Sequence, residues 1–161
     1  MIAKAKAIAH GSKAIEYALR ESKQGYLVMS NLVQNQTPGA IYKEFLQAQE
    51  WNTRCKNKFI RIEIGIAPAD EKRLVHDDLV RICSEFSERF GFKNHQWIAC
   101  THQDTEHLHL HMIVNRIGID HSVYDTSFIS KRAGKIAEDI SQDMGLTIAN
   151  QVTRQSKYKP E

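Results

Sequence analysis

Thr101-His102-Gln103-Asp104-Thr105-Glu106-His107-Leu108-His109-Leu110-His111-Met112-Ile113-Val114-Asn115-Arg116 is the stretch whose reading decides the fold. Five of the chain's eight histidines lie between His95 and His111. From His107 the residues alternate, His107, His109 and His111 on one side and Leu108, Leu110 and Met112 on the other. A period of two predicts a strand with one buried face and one histidine-bearing face. Upstream, Trp97 to His102 reads as a second short strand. The polar residues Gln103-Asp104-Thr105-Glu106 between them are few enough for a hairpin loop. Such a hairpin brings His102 beside His109 and His111.

Three neutral imidazoles on rigid strands suit a divalent metal and leave coordination positions open, as catalysis requires. His102, His109 and His111 are therefore the candidate ligands. Asp104 is placed to accept the second N–H of a ligating imidazole and fix its tautomer. His107 shares the face but stands four residues from His111, roughly 13 Å along a strand. That is too far for one ion, so His107 is expected to face the substrate or to support the ligands from behind. Asn115, further along the same face, is expected to hold a phosphate or a ligand.

His102-x-Asp104, His109-x-His111 and Asn115 together resemble the third motif of conjugative relaxases, the plasmid-mobilisation nucleases of the His-hydrophobe-His superfamily. Met1-Ile2-Ala3-Lys4, followed by a helix carrying Glu16-Tyr17, is similar to the family's first motif. The resemblance covers roughly residues 1–148. It implies an α+β fold: an antiparallel central sheet of about five strands, ferredoxin-like, with helices packed on it. It also implies site- and strand-specific nicking and rejoining of single-stranded DNA at a transfer origin. Tyr17 would be the attacking residue, leaving a 5′-phosphotyrosyl intermediate. Mg²⁺ or Mn²⁺ would be the working ion, with Ni²⁺ or Zn²⁺ also able to occupy the site. The implied setting is the bacterial cytoplasm, with accessory relaxosome proteins as further partners and no membrane.

The rest of the chain supplies elements that could present these groups. Ile2 to Ala9 alternate small apolar residues with Lys4 and Lys6, giving a first strand with a basic face. A helix over about 13–22, capped by Ser12, then carries Tyr17 beside its apolar stripe. Tyr26 is the competing nucleophile. Leu27 to Val33 read as a short strand or an extended loop. Thr37-Pro38 open a second helix running to about Gln49. Arg54 to Lys58 form a basic loop, a candidate phosphate contact with a solvated loop the alternative. Phe59 to Ile66 alternate strictly, with Ile60, Ile62, Ile64 and Ile66 toward a core. Arg61 and Glu63 then share the histidine face. The family usually carries small hydroxyl residues on this strand, so Arg61 and Glu63 depart from its pattern. Glu63 is a candidate proton acceptor or support for a ligand, with an ion pair to Arg61 the alternative. Residues 71–90 read as the longest helix, ended by Gly91. A final helix, capped by Ser127 or Ser130, runs to Met144 and Gly145. Residues 149–161 are a polar, basic tail expected to be disordered.

Composition fits this reading without proving it. The chain has 161 residues, 42% hydrophobic and 25% charged, with a net charge of +3. A mildly basic balance permits nucleic-acid binding. No apolar run nears the roughly 18 residues of a membrane span. Three scattered cysteines, Cys55, Cys83 and Cys100, give no disulfide framework or thiolate knuckle.

Two other readings remain at this point. The run His107-Leu-His109-Leu-His111 also resembles histidine-triad nucleotide hydrolases, in which His109 would attack an α-phosphate without metal. A non-catalytic DNA-binding accessory module with a structural metal is the third.

Overall fold

The structure is a computed structural model that describes residues 1–103 and 107–148. Its elements, in chain order, are β1 (Ile2–Ile8), α1 (Gly11–Ala18), β2 (Tyr26–Asn31), α2 (Pro38–Gln49), β3 (Phe59–Gly65), α3 (Pro68–Glu71), α4 (His76–Phe90), β4 (Trp97–His102), β5 (His109–Asn115) and α5 (Ile129–Met144). The strands form one sheet in the order β1-β3-β5-β4-β2, with every neighbouring pair antiparallel. This is the expected five-stranded α+β architecture, and the histidine strand β5 lies at its centre.

The alternation read from β3 divides the molecule in two. On one face, Ile60, Ile62 and Ile64 of β3 are the register partners of Val114, Met112 and Leu110 of β5. These side chains are fully buried in a core with Ile82, Cys83 and Phe86 of α4 and Ala133, Ala137 and Ile140 of α5. The opposite face carries Arg61, Glu63 and Gly65 of β3, then His109, His111 and Ile113 of β5, then Ile98, Cys100 and His102 of β4. A smaller apolar cluster seats α1 and α2 on part of this second face, through Ile15, Ala18, Ile41, Phe45, Phe59, Ile98 and Ile113.

Local details differ from the sequence reading where tertiary contacts prevail. α1 starts at Gly11, not after Ser12, and ends at Ala18. A Cβ at Gly11 would fall 2.3 Å from the Phe59 ring, so glycine lets the first turn press onto the sheet. The helix expected over 71–90 starts only at His76, as α4, and a separate single turn, α3, precedes it. Asp78 turns back to accept the Val75 N–H at 2.9 Å and starts α4 afresh, while the buried Asp70 is engaged by Arg73 and the Thr147 N–H. Neither Ser127 nor Ser130 caps α5. Phe128 takes the cap position in the left-handed region at φ 54°, and the Ser130 hydroxyl accepts the Ala5 N–H instead. Val123 and Ile117 form an isolated antiparallel bridge. Among the described residues no helix is long and apolar enough to cross a membrane.

Candidate active site

The register of the hairpin gathers the site. His102 of β4 is directly opposite His109 of β5, and His111 is opposite Cys100, so the three candidate ligands share one face on adjacent strands. The next strand outward sets Gly65 against His109 and Glu63 against His111. β1 adds Ile2 beside Gly65 and Lys4 beside Glu63. A glycine opposite His109 leaves the imidazole a hollow lined by Ile2, Ala3, Lys4, Glu63, Gly65 and His109, about 240 Å³ in volume.

α1 lays Tyr17 over this row. Its ring centroid is 4.5 Å from that of His102 and 6.0 Å from that of His111, and the two imidazoles are 4.4 Å apart. Tyr26, the competing nucleophile, pairs with Thr101, which belongs to the opposite face of the sheet, and its side chain is 62% exposed there. Neighbouring residues of a strand point to opposite sides, so Tyr26, beside Thr101, is directed away from the face that α1 and Tyr17 cover. His102 is fully buried, and its Nε2 lies 3.1 Å from the Tyr17 carbonyl oxygen. A carbonyl only accepts, so in the neutral imidazole Nε2 carries the proton and Nδ1 the lone pair. The backbone of the tyrosine thus does for His102 what Asp104 was expected to do. Asp104 itself lies outside the described residues.

Glu63 is the electrostatic hub of the open part of the face. It pairs with Lys4 at 3.1 Å and Arg61 at 3.5 Å. Burial pushes its carboxyl up, but the hydrogen bond and charge of Lys4, with Arg61 and His111 behind them, outweigh this and hold it below its ordinary value. Lys6 stands directly opposite Arg61, and both line a cleft with Lys4, Glu63 and Ser130. Two like charges across adjacent strands disfavour each other. This costs stability unless an anion lies between them.

Two candidates are placed differently from expectation. Asn115 is fully buried, and its amide is taken up inside the protein. It donates to the Phe45 carbonyl and Gln96 Oε1, and accepts from Gln49 Nε2 and the Ile117 N–H, all at 3.0–3.1 Å. A side chain so saturated holds α2 to the sheet and has no capacity for phosphate. His107 precedes β5, which begins at His109, so strand alternation does not set its direction. It lies in an apolar hollow with Ile2, Gly65, Pro68 and His109, at the edge of the site.

Other residues were missed. Arg20 stands 5.4 Å from the Tyr17 ring centroid, and His10 and Lys13 line a hollow with Tyr17 and Arg61. Arg20 is three residues beyond Tyr17, a spacing that could have suggested it. His10 and Lys13 gave no sequence signal, because their nearness to Arg61 depends on how α1 lies across the sheet. The Cys100 thiol, opposite His111, is pushed up to about 12 by burial and is inert packing.

The donor set fits a divalent ion in kind, three imidazoles on one face of two adjacent strands. In the conformation described, His102 is turned to the Tyr17 carbonyl. Among the described residues no group of three His, Cys, Asp or Glu side chains is gathered to hold an ion.

Comparison with known proteins identifies the family. Residues 17–146 match the family model described as relaxase, MobA/VirD2-like, nuclease domain. Two proteins of Escherichia coli, each named Protein TraI, are similar at 27% identity over 143 residues and 26% over 142. Each alignment covers 84% of this chain but only 18% of the relative, so the chain spans about a fifth of their length.

Proposed function

This chain belongs to the MobA/VirD2-like relaxase nuclease family, and from that premise we propose that it nicks and rejoins one DNA strand at a transfer origin through the Tyr17 hydroxyl. The observation that carries the assignment is the position of Tyr17 over His102 and His111, on the face where Lys4, Lys6 and Arg61 are exposed to a polyanion.

The Tyr17 oxygen attacks the scissile phosphorus and the bond from phosphorus to the 3′ oxygen breaks. The products are a 5′-phosphotyrosyl link and a 3′-hydroxyl. The ester is conserved in the link, so the reverse attack by a 3′-hydroxyl rejoins a strand. His102, His109 and His111 would hold a divalent ion, Mg²⁺ or Mn²⁺, whose charge is left undiminished by neutral ligands and supplies electrostatic stabilisation to the phosphate. Lys4, Lys6 and Arg61 neutralise and position the backbone of the bound strand. Glu63, held low by those cations, is a weak base, and its part is to fix Lys4 and Arg61 beside the ligand row. Asp104 is the candidate to take the tyrosine proton. The substrate is single-stranded DNA of the origin, with accessory relaxosome proteins as partners.

The test is incubation of the protein with labelled single strands carrying a transfer origin and Mn²⁺, read on a denaturing gel. A protein–DNA adduct is expected, absent in Tyr17→Phe, whose fold and strand affinity should be preserved because the ring is kept. An undiminished adduct with Tyr17→Phe would refute the proposal.

A further inference from the structure

The chain has two tryptophans of opposite character. Trp97 is 3% exposed in the core, whereas Trp51, just past the end of α2, is 77% exposed. Tryptophan is highly buried on average, so an indole left in water next to a polar turn invites an explanation. The residues after it, Asn52-Thr53-Arg54-Cys55-Lys56-Asn57-Lys58, carry three cations and no acid.

The turn is built rather than loose. The Asn52 side chain accepts the N–H groups of Arg54 and Cys55 at 3.2 and 2.9 Å. Arg116 clamps it from the sheet, donating to the Asn57 carbonyl, the Cys55 Sγ and the Tyr124 carbonyl. Gln49, two residues before Trp51, is buried and bonded to Asn115 and to the Lys58 carbonyl. An exposed indole is therefore held on a rigid base beside Arg54 and Lys56, both exposed.

Its position relative to the catalytic row follows from the strands. Asn115, at the end of β5 to which Gln49 ties α2, is six residues from His109, so the point where the platform is anchored to the sheet stands roughly 20 Å along the strand from His109. α2 covers the same side of the sheet as α1. Between the two ends, on β1, β3 and α1, lie Lys6, Arg61, His10 and Lys13.

We infer that Trp51 is a base-stacking platform, with Arg54 and Lys56 as its phosphate contacts, for single-stranded DNA running along this side of the sheet from the catalytic row. An aromatic face accepts any base, and the flanking cations track the backbone, the combination used for single-strand binding without sequence preference. This rests on the DNA-nicking reading but adds a second contact that the chemistry at Tyr17 does not require.

The test exploits the two tryptophans. With Trp97 buried, quenching of emission by added oligo(dT) reports Trp51. Oligonucleotides of increasing length are titrated into the wild type and Trp51→Ala, while adduct formation on an origin strand is read in parallel. Length-dependent quenching is expected in the wild type and none in Trp51→Ala, with affinity for the longer strands falling about tenfold. The rate of adduct formation at saturating DNA should be unchanged. Replacing Arg54 and Lys56 together with alanine should lower the salt slope by about 1.4. If adducts form yet Trp51 emission and affinity do not respond to DNA, the platform is refuted while the nicking reading stands. Quenching without any adduct would instead sink the nicking reading and leave the stacking site.

Discussion

The two faces of the sheet are built from the same strands and differ in almost everything else. Under α4 and α5, Ile60, Ile62, Ile64, Leu110, Met112 and Val114 are sealed from water. Under α1, the residues one position along are Arg61, Glu63, Gly65, His109 and His111, and the helix covers only part of them. One face supplies stability through buried apolar area. The other gives up some of that burial, sets Lys6 against Arg61, and leaves clefts along β1 and β3. A domain that must present charge to a phosphate can afford such a face only because its reverse side is so fully packed.

That contrast can be broken at several points. The largest effect on function should come from the ligand row. His109→Ala should abolish adduct formation and weaken Mn²⁺ binding by more than the 10- to 100-fold that loss of an outer-shell partner costs, roughly. Its melting temperature should barely move, since His109 is only half-buried. Calorimetric titration with Mn²⁺ and a melt on the same sample check both halves, and chelation by EDTA should reproduce the loss of adduct in the wild type.

Ile62→Ala, one position from Glu63 on the sealed face, should do the converse. Removing a fully buried branched side chain costs about 2–5 kcal/mol, read by urea unfolding. Adduct yield per folded molecule should be retained.

Asn115→Ala tests whether a residue on the functional side serves the fold. Leaving the buried partners of its amide unsatisfied costs about 1–3 kcal/mol. The salt dependence of DNA binding should be unchanged, and a shallower slope would return Asn115 to the phosphate-binding set.

Glu63→Gln is the smallest. A carboxyl held below its ordinary value contributes stability that is present above that ordinary value and lost as pH falls through the lowered one. Wild type should therefore exceed Glu63→Gln in melting temperature at neutral pH by an amount worth about 0.2–1 kcal/mol, given the partial exposure of the pairs. The difference should close in acid. A gap that persists at low pH would mean Glu63 acts through packing.

Much of this was legible because strand periodicity is a strong signal. Alternation in Phe59–Ile66 and His109–Met112 sorted both faces, while His107, counted in the same run, falls before the strand begins, and the short polar spacing set His102 against His109. What stayed hidden depended on contacts between distant residues. Alternation placed Asn115 with the histidines, but only the meeting of Gln49, Gln96 and Phe45 around it shows that its amide is already used. Tyr17 and Tyr26 were separated by family resemblance, whereas the physical discriminator is the register that puts Tyr26 beside Thr101. The break before α4 turns on an Asp78 carboxylate that a periodicity count reads only as solvated. Trp51 gives no signal in the sequence, because whether an aromatic just past a helix end is packed or exposed is set by its tertiary neighbours.

The central claim is that Tyr17 is the residue joined to DNA. Trypsin separates the two tyrosines, since Tyr17 falls in the peptide Ala14–Arg20 and Tyr26 in Gln24–Lys43. The trapped adduct, trimmed with nuclease and sequenced by mass spectrometry, should carry its nucleotide on Ala14–Arg20 at the tyrosine. A nucleotide on the peptide containing Tyr26, or on any histidine, would contradict the account.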